Sequence, residues 1–271
     1  TTLALDWLNS QTDINRFDAN FYNDELRSLR LAANGYWLDK WAGANQASIQ
    51  VSRGLPVFGA SNRGRPDLSR IAGNPQYTKF NALVSRLQAL TQHVSLYGAV
   101  IGQYSLDPLL SSEQFAFGGA QFGQAYDPAE ITGDRGVAAK AELRYNVNPD
   151  WRYLKSLQYF AFYDIGKAWN LEDTLVTGLP NQQSAASTGL GLRANLNQYF
   201  SGAAEFAQPL THKVNTYNDY TPRIFVSLTF RDKTEAQPEP GLQPLDQAPP
   251  GYANAAATNG PQSRAAAATQ P

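Results

Sequence analysis

Residues Val137-Ala-Ala-Lys-Ala-Glu-Leu-Arg-Tyr145 carry an alternating pattern of apolar and charged side chains. Every odd position is apolar or aromatic, whereas Lys140, Glu142 and Arg144 stand between them. Successive side chains of an extended strand point to opposite faces of the sheet, so this period of two predicts a β-strand. One face of that strand is apolar along its whole length, and the other carries charges at mid-strand.

The same period recurs along the chain, and we find no convincing amphipathic helix. About ten strands are predicted, and the fold class is therefore all-β and antiparallel. The predicted strands cover 1–8, 27–38, 45–55, 78–90, 93–105, 137–145, 156–167, 189–196, 199–208 and 223–230.

The connections between these strands alternate in length. Short links are expected at 39–43, 91–92 and 197–198, and an intermediate one at 147–155. Long polar or Gly/Pro-rich links are expected at 9–24, 54–76, 106–134, 168–183 and 209–220. An up-and-down membrane barrel alternates in this way because its short turns and its long loops lie at opposite rims.

Two readings of the charged face remain, a solvent-exposed face of a soluble β-sandwich and the lining of a transmembrane β-barrel. Aromatic residues near strand ends, such as Trp37, Trp41 and Trp169, are typical of the girdles of a barrel. Together with the alternating connections they favour the barrel. The chain has no run of about 18 apolar residues that would predict a membrane-spanning helix.

The composition excludes several classes of function. A net charge of -1 leaves no basic excess for nucleic acid. Without cysteine there is no thiolate metal site or cysteine nucleophile, and the loop carboxylates lack the regular spacing of calcium ligands. His93 and Ser95 share one strand face, but no Asp or Asn can be placed beside them to complete a hydrolase site. We therefore expect no enzyme, no catalytic residue, no cofactor and no metal.

Two regions of different composition divide the chain. Residues 1–231 carry the strands and form the expected barrel region. Residues 232–271 are rich in Pro, Ala and Gln and show no alternating pattern. Such a segment can bury little apolar surface, so a disordered tail is predicted.

Several motifs in residues 1–231 resemble one family. Tyr22-Asn-Asp-Glu-Leu-Arg-Ser-Leu-Arg30, Trp41-Ala-Gly-Ala-Asn45 and Arg53-Gly-Leu-Pro-Val-Phe-Gly-Ala-Ser61 resemble its strand exits and turns. The stretches Asp107–Phe115, Phe117–Gly119 and Ala125–Gly136 resemble its long inward-folded loop, and Phe162-Tyr-Asp-Ile-Gly166 resembles its Phe-x-Asp-x-Gly strand motif. The family is the haemolysin secretion/activation (ShlB/FhaC/HecB) type of two-partner secretion transporter, in the BamA-like superfamily.

The resemblance implies the C-terminal part, about ten strands, of a sixteen-stranded barrel in the bacterial outer membrane. Its implied function is a pore that translocates a partner exoprotein, of the haemolysin or adhesin kind. A barrel-assembly or surface-structural factor of the same superfamily is the alternative, or a passive porin. Ten strands alone would be part of a longer polypeptide, a truncated relic or a smaller re-closed barrel, since an open edge in lipid leaves backbone groups unpaired.

The resemblance also implies site residues. In the family the long loop, here 106–135, tucks into the pore, and an Arg near its tip contacts the strand-motif Asp. Gln124 stands where that Arg belongs. Either its amide still hydrogen-bonds Asp164 as a weaker anchor, with Arg135 or a strand Arg partly compensating for the missing charge, or gating is relaxed or lost; we favour the first. On this basis Gln124→Arg should tighten the loop. The implied loop-anchor and gating residues are Gln124, Ala125, Tyr126, Arg135, Asp164 and Gly166.

The final strand, Arg223–Phe230, resembles the terminal-strand signal that outer-membrane proteins present to their assembly machinery. Phe230 is the aromatic residue of that signal. The partners implied by the resemblance are therefore the secreted exoprotein, outer-membrane lipid and, during insertion, the barrel-assembly machinery.

Overall fold

A computed structural model describes residues 1–16, 19–147, 149, 151–171, 181–196 and 199–230. The side chains of residues 13–21 are outside that description, and so is the predicted tail at 232–271. No helix in the described residues is both long and apolar enough to cross a membrane.

The described residues form one ten-stranded antiparallel sheet, in agreement with the predicted all-β fold. Its strands follow one another in chain order, and a two-stranded hairpin, β6–β7, lies within the connection between β5 and β8. The strands are β1 (Thr2–Arg16), β2 (Ala19–Leu38), β3 (Gly43–Gly54), β4 (Thr78–Ala89), β5 (Val94–Ser105), β6 (Phe115–Phe117), β7 (Ile131–Gly133), β8 (Arg135–Val147), β9 (Ser156–Trp169), β10 (Gln182–Asn195), β11 (Phe200–Pro209) and β12 (Arg223–Phe230).

The predicted alternation of connection lengths holds, with one exception. Residues 55–77, 106–134 and 210–222 make long connections that begin and end at one rim of the sheet. The strand ends that flank the link from β9 to β10 lie at the same rim, but residues 172–180 of that link are outside the described part of the chain. The prediction of a long loop at 9–24 is wrong, because β1 and β2 continue as a paired hairpin up to Arg16 and Ala19. The polar residues of this segment predicted a loop. The backbone N–H and C=O groups of the two strands nevertheless pair, because this pairing does not depend on apolar side chains. The hairpin therefore extends beyond the neighbouring strands.

Burial in the sheet is inverted relative to a soluble protein. Lys140, Glu142 and Arg144 expose only 5%, 1% and 3% of their surface, whereas Leu143 between them is 51% exposed. The apolar face also includes Val100, 48% exposed. A sheet in a bilayer needs this arrangement, because hydrocarbon surrounds its apolar face and charges can lie only on the opposite, inner face.

The connection between β2 and β3 shows how a short turn is held. Asp39 accepts hydrogen bonds from the backbone N–H groups of Trp41 (3.0 Å) and Gly43 (3.1 Å) and from the Asn45 amide (3.0 Å). The Arg86 guanidinium from β4 bonds the same carboxylate and keeps the pKa of Asp39 well below its usual value. A Cβ at Gly43 would lie 2.3 Å from the Arg86 Nη2 atom, so a larger residue there would displace the guanidinium that bonds Asp39.

The inverted burial predicts the effect of a charge on the apolar face. Val100→Arg, at the middle of β5, should lower the free energy of unfolding by about 2–4 kcal/mol in phospholipid vesicles, because Arg would meet hydrocarbon. The control Val100→Leu should lower the free energy of unfolding by less than about 1.5 kcal/mol. Denaturant titration of the full-length protein, followed by tryptophan fluorescence, measures both. Equal stability of the two variants would show that this face does not contact lipid.

Candidate functional site

The inner loop, residues 106–134, lies on the inner face of the sheet. It contains a 3-10 turn at Ser111–Glu113 and the β6–β7 hairpin. Its aromatic side chains pack with wall residues in one buried cluster, so the loop has a hydrophobic core of its own against the wall. The buried members of that cluster are Leu83, Ala99, Ile101, Phe115, Phe117, Phe122, Tyr126, Ile131, Ala138, Ala168, Ala185 and Val214.

The tip of the inner loop is bound by Asp164, a fully buried residue on β9. Asp164 accepts hydrogen bonds from the backbone N–H groups of Gly123 (3.1 Å) and Gln124 (3.4 Å). Its other oxygen accepts the hydroxyl of Ser187 on β10. A buried carboxylate is costly unless hydrogen-bonded, and here the loop backbone supplies two of the donors.

The side chain of Gln124 does not take the predicted partner. Its Nε2 donates to Glu205 Oε2 on β11 at 2.7 Å, and its Oε1 accepts a hydrogen bond from Lys140 Nζ on β8. Asp164 instead contacts the Gln124 backbone. The amide therefore links Lys140 on β8 to Glu205 on β11.

The Phe-x-Asp-x-Gly motif has three inward-pointing residues, and each meets the loop. Phe162 belongs to a buried cluster with Ala125 of the loop. Asp164 binds the loop tip, as described above. Gly166 lies under the Phe117 ring, where a Cβ would be only 2.3 Å from the ring atom Cδ2. The spacing of two places all three residues on one face, and this explains the motif physically.

Tyr126 fixes the segment that follows the tip. Its hydroxyl donates to the carbonyl of Ala186 on β10 (2.8 Å) and accepts from the backbone N–H of His212 (3.3 Å). The ring packs 6.1 Å from that of Phe117. Tyr126 thus joins the inner loop both to the wall and to the connection between β11 and β12.

Arg135 and Phe230 lie apart from this cluster. The Arg135 Nε donates to the carbonyl of Ser105 (2.9 Å), and the guanidinium stacks 4.1 Å from the centre of the Tyr104 ring. These contacts join the two ends of the inner loop. Phe230 ends β12 and packs against Phe200, with 5.0 Å between ring centres.

A second attachment of the inner loop was not predicted from the sequence. Glu113 bonds Arg30 of β2 (2.9 Å) and Lys79 of β4 (2.7 Å), all three nearly fully buried. Burial by itself would raise the pKa of Glu113, but the two cations outweigh it and lower that pKa below its usual value. The only sequence signal was the mid-strand position of Arg30. Its partner lies 83 residues away.

Asp134, at the end of the inner loop, holds three of the long connections together. It bonds Arg70 (2.5 Å) and accepts the backbone N–H groups of Leu109 (2.8 Å) and Leu171 (2.8 Å). Its side chain is fully buried. Sequence reasoning missed this residue, which lies within the Ala125–Gly136 motif, because loop partners follow no periodicity.

The connection 210–222 and the first residue of β12 also contact the inner loop. Asp127 forms a 2.8 Å ion pair with Arg223, and this hydrogen bond is the main cause of the lowered pKa of Asp127. Glu130 accepts the backbone N–H of Asn215 at 2.6 Å. The segment that follows the loop tip is therefore held by the region between β11 and β12.

Beyond the loop tip, the inner face carries a further charged cluster around Glu142. Arg144 and Arg193 each approach its carboxylate to 2.6 Å, and Arg193 also stacks 3.8 Å from the Phe160 ring centre. The described residues contain no group of three or more His, Cys, Asp or Glu that could hold a metal ion. The charges of the inner face bind each other and the loop.

The chain is similar to outer-membrane transporters of one family. Residues 1–194 match the family model described as haemolysin secretion/activation protein ShlB/FhaC/HecB. The outer membrane transporter CdiB of Dickeya dadantii (strain 3937) is 26% identical over 150 residues, which are 54% of this chain and 25% of that protein. The structure of CdiB from Escherichia coli is similar with a TM-score of 0.64 at 19% identity, over 79% of this chain and 38% of that one. The chain thus spans well under half the length of these relatives.

The contact between Gly166 and Phe117 predicts a position-specific effect of a single methyl group. Gly166→Ala should displace the Phe117 ring and destabilise the packing of the inner loop on the wall by about 1–3 kcal/mol. The inner loop should therefore become more sensitive to protease. Gly98→Ala is the matched control, because a Cβ there would be 4.0 Å from its nearest neighbour.

Limited proteolysis of the full-length protein in vesicles measures the effect. Adding Phe117→Leu to Gly166→Ala should restore part of the protection, since the smaller side chain makes room for the methyl group. If Gly166→Ala and Gly98→Ala were cleaved alike, the aromatic contact would not hold the loop.

Proposed function

The chain belongs to the haemolysin secretion/activation (ShlB/FhaC/HecB) family, and from this we propose that it supplies wall strands and the inner loop of an outer-membrane pore for secretion of a partner exoprotein. The matched family comprises secretion and activation proteins rather than enzymes, as predicted. The barrel lies in the bacterial outer membrane. Transport through it needs a polar passage and a movable loop, without covalent chemistry.

The observation that carries the proposal is the charged inner face with a loop seated on it. The loop tip is attached to Asp164 through hydrogen bonds and to Glu205 through Gln124. Such contacts exchange readily for water or for an arriving polar chain, whereas the backbone hydrogen bonds of the wall persist. Release of the loop would leave a polar passage.

The rims suggest the direction of transport. In outer-membrane barrels the short turns face the periplasm and the long loops face outward. With this orientation the inner loop enters the pore from outside, and an exoprotein would arrive from the side of the Glu142 cluster. An exoprotein in a mainly extended conformation would suit such a passage. We propose a haemolysin-like or adhesin-like exoprotein as the partner.

We assign roles to the predicted site residues on the same basis. Asp164 and Gln124 hold the tip, Gly166 and Ala125 allow close packing, and Tyr126 orients the following segment. Arg135 holds the base, because it bonds the carbonyl of Ser105 immediately before the loop. Phe230 faces outward at the end of β12 and would contact lipid and, during insertion, the assembly machinery.

A reversible crosslink tests whether release of the inner loop accompanies transport. The chain has no cysteine, and Phe117 and Gly166 meet between loop and wall. In the full-length protein, Phe117→Cys with Gly166→Cys should form a disulfide that blocks export of an exoprotein encoded beside the transporter gene. Adding reductant should restore export, and each single-cysteine variant should export in either state.

Conductance in planar bilayers, measured on the same crosslinked protein, separates the alternatives. A crosslink that blocks both export and conductance supports the proposal. If it blocks conductance while no exoprotein is exported by any variant, a passive porin is favoured. If other outer-membrane barrels become depleted without the protein, an assembly factor is favoured. Unchanged export with the disulfide closed would contradict a moving loop.

A further inference from the structure

We propose that Lys140, on the wall, supplies the positive charge that binds the loop tip, in place of a cation on the loop. This assignment rests on the proposed role of the inner loop and adds a positioning residue to it. Lys140 lies at the middle of β8 and is 5% exposed. Gln124 then acts as the neutral connector between this cation and the carboxylates of the neighbouring strands.

The contacts of Lys140 carry the proposal. Its Nζ donates to Gln124 Oε1 and, at 3.4 Å, to the carbonyl of Gln121, so one ammonium group binds the loop tip twice. The residue opposite Lys140 in the β8–β9 register is Asp164. The cation and the tip-binding carboxylate thus stand side by side on the wall.

The amide of Gln124 is matched to these neighbours. An amide offers an acceptor oxygen and a donor nitrogen on one planar group. The oxygen faces Lys140, which can only donate, and the nitrogen faces Glu205, 2.7 Å away. An arginine has donors alone, so at position 124 it could bind Glu205 but would leave Lys140 with only the Gln121 carbonyl as a hydrogen-bond acceptor at the loop tip.

The other charged groups near Lys140 do not replace this contact. Glu142 lies 3.9 Å from its Nζ, but the same carboxylate is bonded at 2.6 Å by both Arg144 and Arg193. The negative charge of Glu142 is therefore paired with these two arginines and not with Lys140. The Phe162 ring, 5.3 Å away, adds a weak cation–π contact that does not reach the loop.

This geometry revises what the sequence predicted for Gln124→Arg. Alone, the substitution places a second cation beside Lys140, and we expect no tightening of the loop. In a Lys140→Gln background the added arginine should restore the missing charge. The two substitutions should therefore be strongly non-additive, as residues sharing one polar network are.

The experiment is a double-mutant cycle on the full-length protein in vesicles, with the protease cleavage rate of the inner loop as readout. Lys140→Gln should raise that rate on the order of tenfold, because a buried charged hydrogen bond is lost. Lys140→Gln with Gln124→Arg should return it close to the wild-type rate. Lys140→Arg keeps the charge and should stay near wild type.

Lys167→Gln is the matched control, since Lys167 lies on β9 with its ammonium group 5.2 Å from the centre of the Trp169 ring and takes no part in the loop-tip contacts described above. Heat-modifiable mobility in electrophoresis identifies variants that fold. An unchanged cleavage rate in folded Lys140→Gln, or an equal effect of Gln124→Arg in both backgrounds, would overturn the proposal. Because no exoprotein is involved, these outcomes are independent of whether export is observed.

Discussion

The inner face of the sheet carries charges that must be paired once the loop covers them. A buried charge without a partner costs several kcal/mol, so a covered wall residue needs an opposite charge or a set of hydrogen bonds. For Arg30 and Lys79 the carboxylate comes from the loop, as Glu113, and not from the wall. The loop thus supplies the counter-charge that these two buried wall residues need.

Much of the fold could be predicted because it depends on a period of two. Alternation along residues 137–145 was enough to identify a strand with one charged face, and the same signal recurred along most of the sheet. The hairpin of β1 and β2 was missed over 9–24, since its polar residues remove the alternation while the backbone still pairs. A period of two in hydrophobicity shows that the two faces of a strand have different environments. It therefore cannot identify a strand whose two faces are both polar.

The candidate site was predictable only as far as its motifs reach. The strand motif identified Asp164 and Gly166, whose inward direction follows from spacing. The partner of the Gln124 amide did not follow, because it depends on which of several inner-face residues lies opposite the loop tip. Lys140 and Glu205 come from strands 16 and 81 residues away in sequence from that tip. Such pairings are set by the register of the sheet, which no local pattern encodes.

The buried carboxylate of Asp134 has a consequence for the exposed surface of the molecule. Outer loops of a barrel usually vary in sequence and accept inserted epitopes independently of one another. Here Arg70, Leu109 and Leu171 meet at one side chain, so antigenic variation near these residues would have to be coordinated across three loops. Gly64, with open space around it, lies outside that constraint and is where an epitope tag could be displayed without disturbing the others.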